Sequence, residues 1–372
     1  MNVLIVSGIW PPDVGGPASH APEVADFLHG RGHDVEVVTT AWEPPVQRAY
    51  RVSAVPRSIP PGLRHLRGAA LVHHRARDAD VVYTTGMFGR SALGSAVART
   101  PYVVKLTADP AFERARRRRL FDGDVDRFQS FDGGPSVRAL RLLRDAELRR
   151  AAHVFTPSAY LRELAISWGV DAARVSVLPN PSPPLPRSDV SRDALRHSFG
   201  IDGNTVVFAG RLAPQKALDV ALDAIAELDE VTLLIAGDGD ERARLERRAG
   251  DGVRFLGPLP RERVLELFRA ADAAILTSMW ENFPHSVVEA LSVGTPVIAT
   301  TTGGVAEVVR DGENGLLVTP GDAHELVGAL TRFFGDSALR ERLRDGAAPS
   351  VADYEQERVF SQLEATLLAV AA

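Results

Sequence analysis

The sequence contains no cysteine, which excludes disulfide cross-links, thiolate nucleophiles and cysteine-held zinc or iron–sulfur centres and leaves the redox compartment open. Lysine is almost as scarce. Of 43 basic residues only Lys105 and Lys216 are lysines, so a compact ammonium stands at just two places in a chain that otherwise uses the guanidinium fork. Long apolar runs are missing too. The apolar start Val3-Leu4-Ile5-Val6 is short, lacks a basic leader and runs into Pro11-Pro12, so neither a signal peptide nor a membrane-spanning helix is legible. Cytoplasmic residence is the expectation, with peripheral contact at the inner membrane face as the alternative. A net charge of −5 argues against a general nucleic-acid surface. The basic run Arg114, Arg116, Arg117, Arg118, Arg119 is a solvated helix face or an anion contact. No pattern speaks to the oligomeric state.

What is present is the composition of a globular protein, 45% hydrophobic and 24% charged over 372 residues, a length that favours two folding units. Short apolar runs alternate with helical patterns. Val3 to Ser7 reads as a buried strand, Pro17 to Gly30 as a helix and Val35 to Thr39 as the next strand, which makes a βαβ unit and implies a parallel sheet. Further strands are expected at Val81 to Thr84, Tyr102 to Leu106, His153 to Thr156 and Val175 to Leu178. The proline-rich stretch from Pro179 to Pro186 stops both helix and inner strand. The pattern then restarts, with strands at Thr205 to Ala209, Thr232 to Ala236, Val253 to Leu256, Ala273 to Thr277 and Pro296 to Ala299. The expected class is α/β, two Rossmann-like doubly wound parallel sheets facing a cleft. The expected division is 1–180, a linker at 181–190, a second domain at 191–350, and a last helical stretch at 351–372 that crosses back onto the first.

In doubly wound sheets ligands lie beyond the carboxyl ends of the strands, so the loops there are searched first. After the first strand, Gly15-Gly16 before a helix can let backbone amides approach a phosphate or a sugar. A tight turn is the alternative, and the spacing is not the dinucleotide pattern G-x-G-x-x-G. After the strand that opens the second half come Gly210, Arg211 and Lys216, a planar fork and a point charge able to bracket a diphosphate. Glu281 follows a later strand, and Glu289 lies about one turn into the next helix. Between them run Phe283, Pro284, His285, Ser286 and Val287, whose free helix-start amides suit phosphate, while ionised carboxylates accept hydrogen bonds from sugar and ribose hydroxyls. Helix capping is the competing role for Glu289.

At these residues the chain resembles the retaining glycosyltransferases of family four, whose E-x7-E element matches Glu281 to Glu289. The likeness continues in order through Gly15-Gly16, Gly32 to Thr39, Thr156-Pro157-Ser158, Val177 to Asn180, Gly210-Arg211 with Lys216, Gly303-Gly304 with Glu307, and Asn314 to Val318. The resemblance implies the GT-B fold and a nucleotide diphosphate sugar as donor, with transfer to a hydroxyl acceptor by a front-face mechanism that needs neither metal nor other cofactor. It implies that Arg211 and Lys216 bind the diphosphate, Glu289 the ribose and Glu281 the transferred sugar, with Gly16 approaching the phosphate. The base is expected by the loops at Gly237 and Leu259. Many relatives carry a histidine where this chain has Thr107, which leaves His20, Thr107, Asp109 and Glu113 as candidates on the sugar and acceptor side. Asp109 is equally readable as a helix cap. A soluble acceptor (an aminocyclitol, natural product or oligosaccharide) is preferred over a lipid-linked one reached through Arg114 to Arg119. A sugar-nucleotide epimerase, a phosphorylase and a non-catalytic binding protein are the competing classes.

Overall fold

A computed structural model describes residues 1–13, 16–185 and 190–372, which divide into two compact units. The first comprises Met1–Pro179 together with Glu357–Ala372, and the second comprises Asn180–Gln356. Gly15 lies outside the described residues. Among those described, no helix is long and apolar enough to cross a membrane.

The first unit holds a seven-stranded sheet built from β1 (Asn2–Val6), β2 (Asp34–Ala41), β3 (Arg51–Pro56), β4 (Val81–Thr84), β5 (Tyr102–Lys105), β6 (His153–Thr156) and β7 (Val175–Val177), in the order β3-β2-β1-β4-β5-β6-β7. Every pairing is parallel, with Val3 opposite Val35 on one side and Val81 on the other. Strands covered on both faces read as continuous Val, Leu and Ile runs, as in β1. By contrast β3 is a half-exposed edge closed by Pro56, where a missing amide donor does no harm. Its mixed pattern Arg-Val-Ser-Ala-Val-Pro carries no strand signal, so it goes unread in the sequence.

The second unit holds β8 (Asn204–Ala209), β9 (Val231–Ala236), β10 (Val253–Gly257), β11 (Ala273–Leu276), β12 (Val297–Thr300) and β13 (Gly315–Val318), all parallel, in the order β10-β9-β8-β11-β12-β13. In both sheets the chain winds outward one way and then the other. The reversal falls between β1 and β4 in the first sheet and between β8 and β11 in the second, and such switch points leave a crevice beyond the strand ends.

The final helical stretch is shorter than its sequence pattern suggests. Ala352–Tyr354 forms a 3-10 turn, and the helix proper is Gln356–Ala371. Tyr354 stays with the second unit, its ring 5.9 Å from that of Phe283 and its carbonyl accepting from the Ser182 amide at 2.7 Å. Beyond it, Val359, Phe360, Leu363 and Leu367 are buried in one apolar cluster with Val3, Ile5 and Ala21 of the first unit.

Lys105, one of the two lysines, is fully buried at the end of β5, and its Nζ donates to the carbonyl of Leu178. Burial pulls its pKa down to about 7. Below that pH both the folded and the unfolded chain hold the proton, and the folded state bears the whole cost of an interred ammonium. Between about 7 and the ordinary 10.5 only the unfolded chain holds it, so stability rises with pH by ~1.4 kcal/mol per unit from this group. In urea titrations at pH 7 and pH 9, Lys105→Met is expected to lose that increment relative to the parent. An identical pH slope in both proteins would count against it.

Candidate active site

The second unit's site is assembled by stitching loops together at the carboxyl edge of its sheet. The Gly210 amide donates to Ala236 at 2.9 Å, the Leu212 amide to Asp238 at 2.9 Å and the Gly237 amide to Gly257 at 2.8 Å. Gly237 has a φ of +137°, and a Cβ there would sit 1.9 Å from the Gly210 carbonyl oxygen, so only glycine lets these two loops close on each other. Leu259 packs partly buried against the unit's core just past this seam.

A second seam joins the loop after β8 to the loop after β11. Gln215 Nε2 donates to the Trp280 carbonyl at 2.7 Å, the Met279 amide to the Gln215 carbonyl at 2.9 Å, and Thr277 Oγ1 to the Lys216 carbonyl at 2.8 Å. The seam brings the only other lysine to a carboxylate: Lys216 Nζ is ion-paired with Glu281 Oε1. The same oxygen accepts from Ser278 Oγ at 2.8 Å. Glu281 is buried and Lys216 only 18% exposed at its side chain, so the pair is shielded from the screening that weakens surface ion pairs. Ser278 as the residue holding Glu281 is not readable from the sequence, since nothing in the spacing says that a serine three residues back turns toward the carboxylate.

Helix His285–Ser292 follows, and no side chain caps its amino end at Pro284. Phe283 and Val287 are buried in the core, and His285 lies 3.0 Å from Asn180 Nδ2. Of Phe283 to Val287, Ser286 with its amide at the uncapped start is what remains to meet an anion, since the Val287 amide already donates to the Pro284 carbonyl at 3.1 Å. Glu289 is partly buried one turn on and accepts from Arg261 Nε at 3.2 Å. Arg211 is exposed, and among the described residues it makes no ion pair or side-chain hydrogen bond.

In the first unit a cavity of about 880 Å³ opens beyond the carboxyl ends of β1, β4 and β5, where the switch-point rule places it. Thr107 and Glu113 line it. Gly16 opens the helix Gly16–Gly30. His20 of that helix is partly buried, with Nε2 3.0 Å from the Tyr83 hydroxyl. Asp109 departs from the expectation of a sugar or acceptor contact. It is completely buried, caps the helix Pro110–Arg117 by accepting from the amides of Ala111 and Phe112 at 2.8 and 3.3 Å, and is ion-paired with Arg144 at 2.9 Å. The carboxylate is drawn inward because Arg144, itself 3% exposed, has no other way to be neutralised so deep except through Asp145.

Two family models match this chain in succession. The glycosyl transferase 4-like domain matches residues 15–181 and glycosyl transferases group 1 matches residues 191–348. The chain belongs to the family-four glycosyltransferases. Among members of that family, the D-inositol 3-phosphate glycosyltransferase of Acidothermus cellulolyticus is 29% identical over 90% of this chain and 81% of its own length. The phosphatidyl-myo-inositol mannosyltransferase of Mycobacterium leprae is 29% identical over 94% and 91%. Two solved structures share the fold. Anabaena HepE in complex with UDP has a TM-score of 0.81 at 23% identity, covering 99% of this chain and 100% of that one. The sucrose-phosphate synthase of Thermosynechococcus elongatus has a TM-score of 0.80 at 20% identity with the same coverage. As a family-four glycosyltransferase with two Rossmann-like sheets, the chain has the GT-B fold and is an enzyme.

Proposed function

We propose that this glycosyltransferase moves a sugar with retention of anomeric configuration from a nucleotide diphosphate sugar, held by the second unit, to the hydroxyl of a soluble acceptor held by the first, without a metal. The observation that carries the reading is the Lys216–Glu281–Ser278 cluster at the switch point of the second sheet, beside an uncapped helix start. A donor diphosphate supplies the anion that draws Lys216 away from Glu281, and the carboxylate so released accepts hydrogen bonds from the sugar. Arg211, Lys216 and the Ser286 amide offset the charge that grows on the leaving diphosphate. Glu289 receives the ribose hydroxyls. On the face from which the diphosphate departs, the acceptor oxygen bonds to the anomeric carbon as the bond from that carbon to the phosphate oxygen breaks. The acceptor's proton passes to the departing phosphate oxygen, so no protein base is required.

The soluble acceptor is favoured by the surroundings of the basic run. Phe112 is buried, and Phe121 is tied into an aromatic cluster, 5.3 Å from Phe128 and 4.8 Å from Phe131. Within residues 112–121 Leu120 is the one exposed large apolar side chain that could insert into a bilayer.

Thermal unfolding with UDP, GDP, ADP and TDP tests the donor site. One nucleotide is expected to raise the melting temperature, since a ligand at a hundredfold excess over its Kd adds ~2.7 kcal/mol to the folded state. The shift should vanish in Arg211→Ala and in Glu289→Ala. No shift with any of the four nucleotides would overturn the reading.

A further inference from the structure

The cavity of the first unit carries a charge pattern that the transfer reaction, as derived above, does not use. Six arginines line it, of which Arg117 and Arg118 are exposed and two others are already matched. Arg57 is ion-paired with Asp13 at 2.7 Å and Arg114 with Glu147 at 3.4 Å. Arg64 and Arg90 are not. Arg64 Nη1 donates to the Arg57 carbonyl at 2.8 Å, and Arg90 reaches only Met87 Sδ and, at 3.5 Å, His65 Nδ1. That nitrogen lies 2.7 Å from the Pro61 carbonyl, so its proton points there and it offers Arg90 no lone pair. Neither guanidinium has a carboxylate partner among the described residues.

The position is built rather than incidental. Gly68, on the helix Pro61–Ala76, leaves the space through which the Arg90 stem passes, since a Cβ there would sit 2.7 Å from Arg90 Cδ. Arg90 is half-buried, and its pKa is lowered first by burial and then by the charge of Arg64. Two like charges held near each other without a counterion are costly until an anion arrives. Donors converge on the same place. Thr85, 5% exposed and lining the cavity, has a buried Oγ1 with no hydrogen-bond partner. Next to it begins the eleven-residue helix Phe88–Ala98, with no side-chain cap at Met87 and with Phe88 and Gly89 lining the cavity.

Resting on the reading that the first unit takes the acceptor, we infer that the acceptor bears a phosphate. Its oxygens are held by Arg64, Arg90, the Thr85 hydroxyl and the amides at the start of helix Phe88–Ala98. A tetrahedral dianion has acceptor oxygens enough for two guanidinium forks, one hydroxyl and the helix start, which a planar carboxylate has not.

Titration calorimetry with inorganic phosphate, at constant ionic strength set with chloride, tests this. The Arg211→Ala/Lys216→Ala background removes the competing donor site. Saturable binding is expected there, and adding Arg90→Gln or Arg64→Gln should weaken it at least tenfold. Each variant is checked for folding by circular dichroism. Phosphate binding that is absent, unchanged by both glutamine variants, or matched in strength by acetate would overturn the proposal. Glycerol phosphate displacing the bound phosphate places the group on a soluble acceptor. Retention on phosphatidylglycerol vesicles that is lost in Arg90→Gln places it on a lipid. Failure of the donor reading is separable, because it appears as loss of the nucleotide shift in the parent protein with phosphate binding intact.

Discussion

Replacing Lys216 with alanine is expected to lower kcat roughly a hundred- to a thousandfold, the usual loss when a pre-placed charge facing developing negative charge is removed. The ammonium is pinned by neighbours that survive the change: its turn is fixed by the bonds from Thr277, Gln215 and Met279, so the site should keep its shape while losing its cation. Lys216→Arg is expected to recover little. A planar fork on a longer stem cannot occupy the point beside Glu281 Oε1 that an ammonium fills. The partner substitution separates the two roles. Glu281→Gln frees Lys216 from its ion pair, so the bare nucleoside diphosphate should bind more tightly even as kcat falls, because the neutral amide accepts more weakly from the sugar hydroxyls. Equal loss of nucleoside diphosphate affinity and of turnover in Glu281→Gln would contradict the exchange of partners proposed above.

The second large effect concerns stability. Asp109→Ala is expected to cost ~3–5 kcal/mol, the range for breaking a buried ion pair by removing one side. Arg144, at 3% exposure and over the Trp168 ring at 3.9 Å, would keep Asp145 alone as its carboxylate partner among the described residues, and Gln129, which bridges Asp109 and the Trp168 indole at 3.1 and 2.9 Å, would lose its anchor. The helix Pro110–Arg117 would lose its cap as well. Urea unfolding followed by tryptophan fluorescence reads the result. A variant that unfolds at the parent's midpoint yet loses turnover would return Asp109 to the acceptor.

That residue shows where sequence reading stops. The alternation of apolar runs makes both parallel sheets legible, because strands buried on two faces leave a continuous Val, Leu and Ile signature. The edge strand β3 leaves none. Among the site residues, Lys216 stands out by scarcity, and the structure pairs it with Glu281. The same scarcity also singles out Lys105, which is interred beneath Leu178 rather than set in a loop after a strand. Arg64 and Arg90 are invisible for the opposite reason. In a chain that uses arginine almost everywhere, an unmatched guanidinium is distinguishable from its many matched neighbours only by what surrounds it in space. Asp109 after a strand has the look of a site residue and of a cap alike, and only Arg144, thirty-five residues on, decides between them.

The first unit is closed by residues from far along the chain, with Phe360, Leu363 and Leu367 filling the cluster around Val3, Ala21 and Leu28. During synthesis the ribosome makes some 180 intervening residues, the whole of the second unit among them, before that filling exists. The unit translated first is therefore the one finished last. Until then the apolar face around Val3 and Leu28 stands open, and the ordinary order in which amino-terminal domains complete ahead of their successors is reversed.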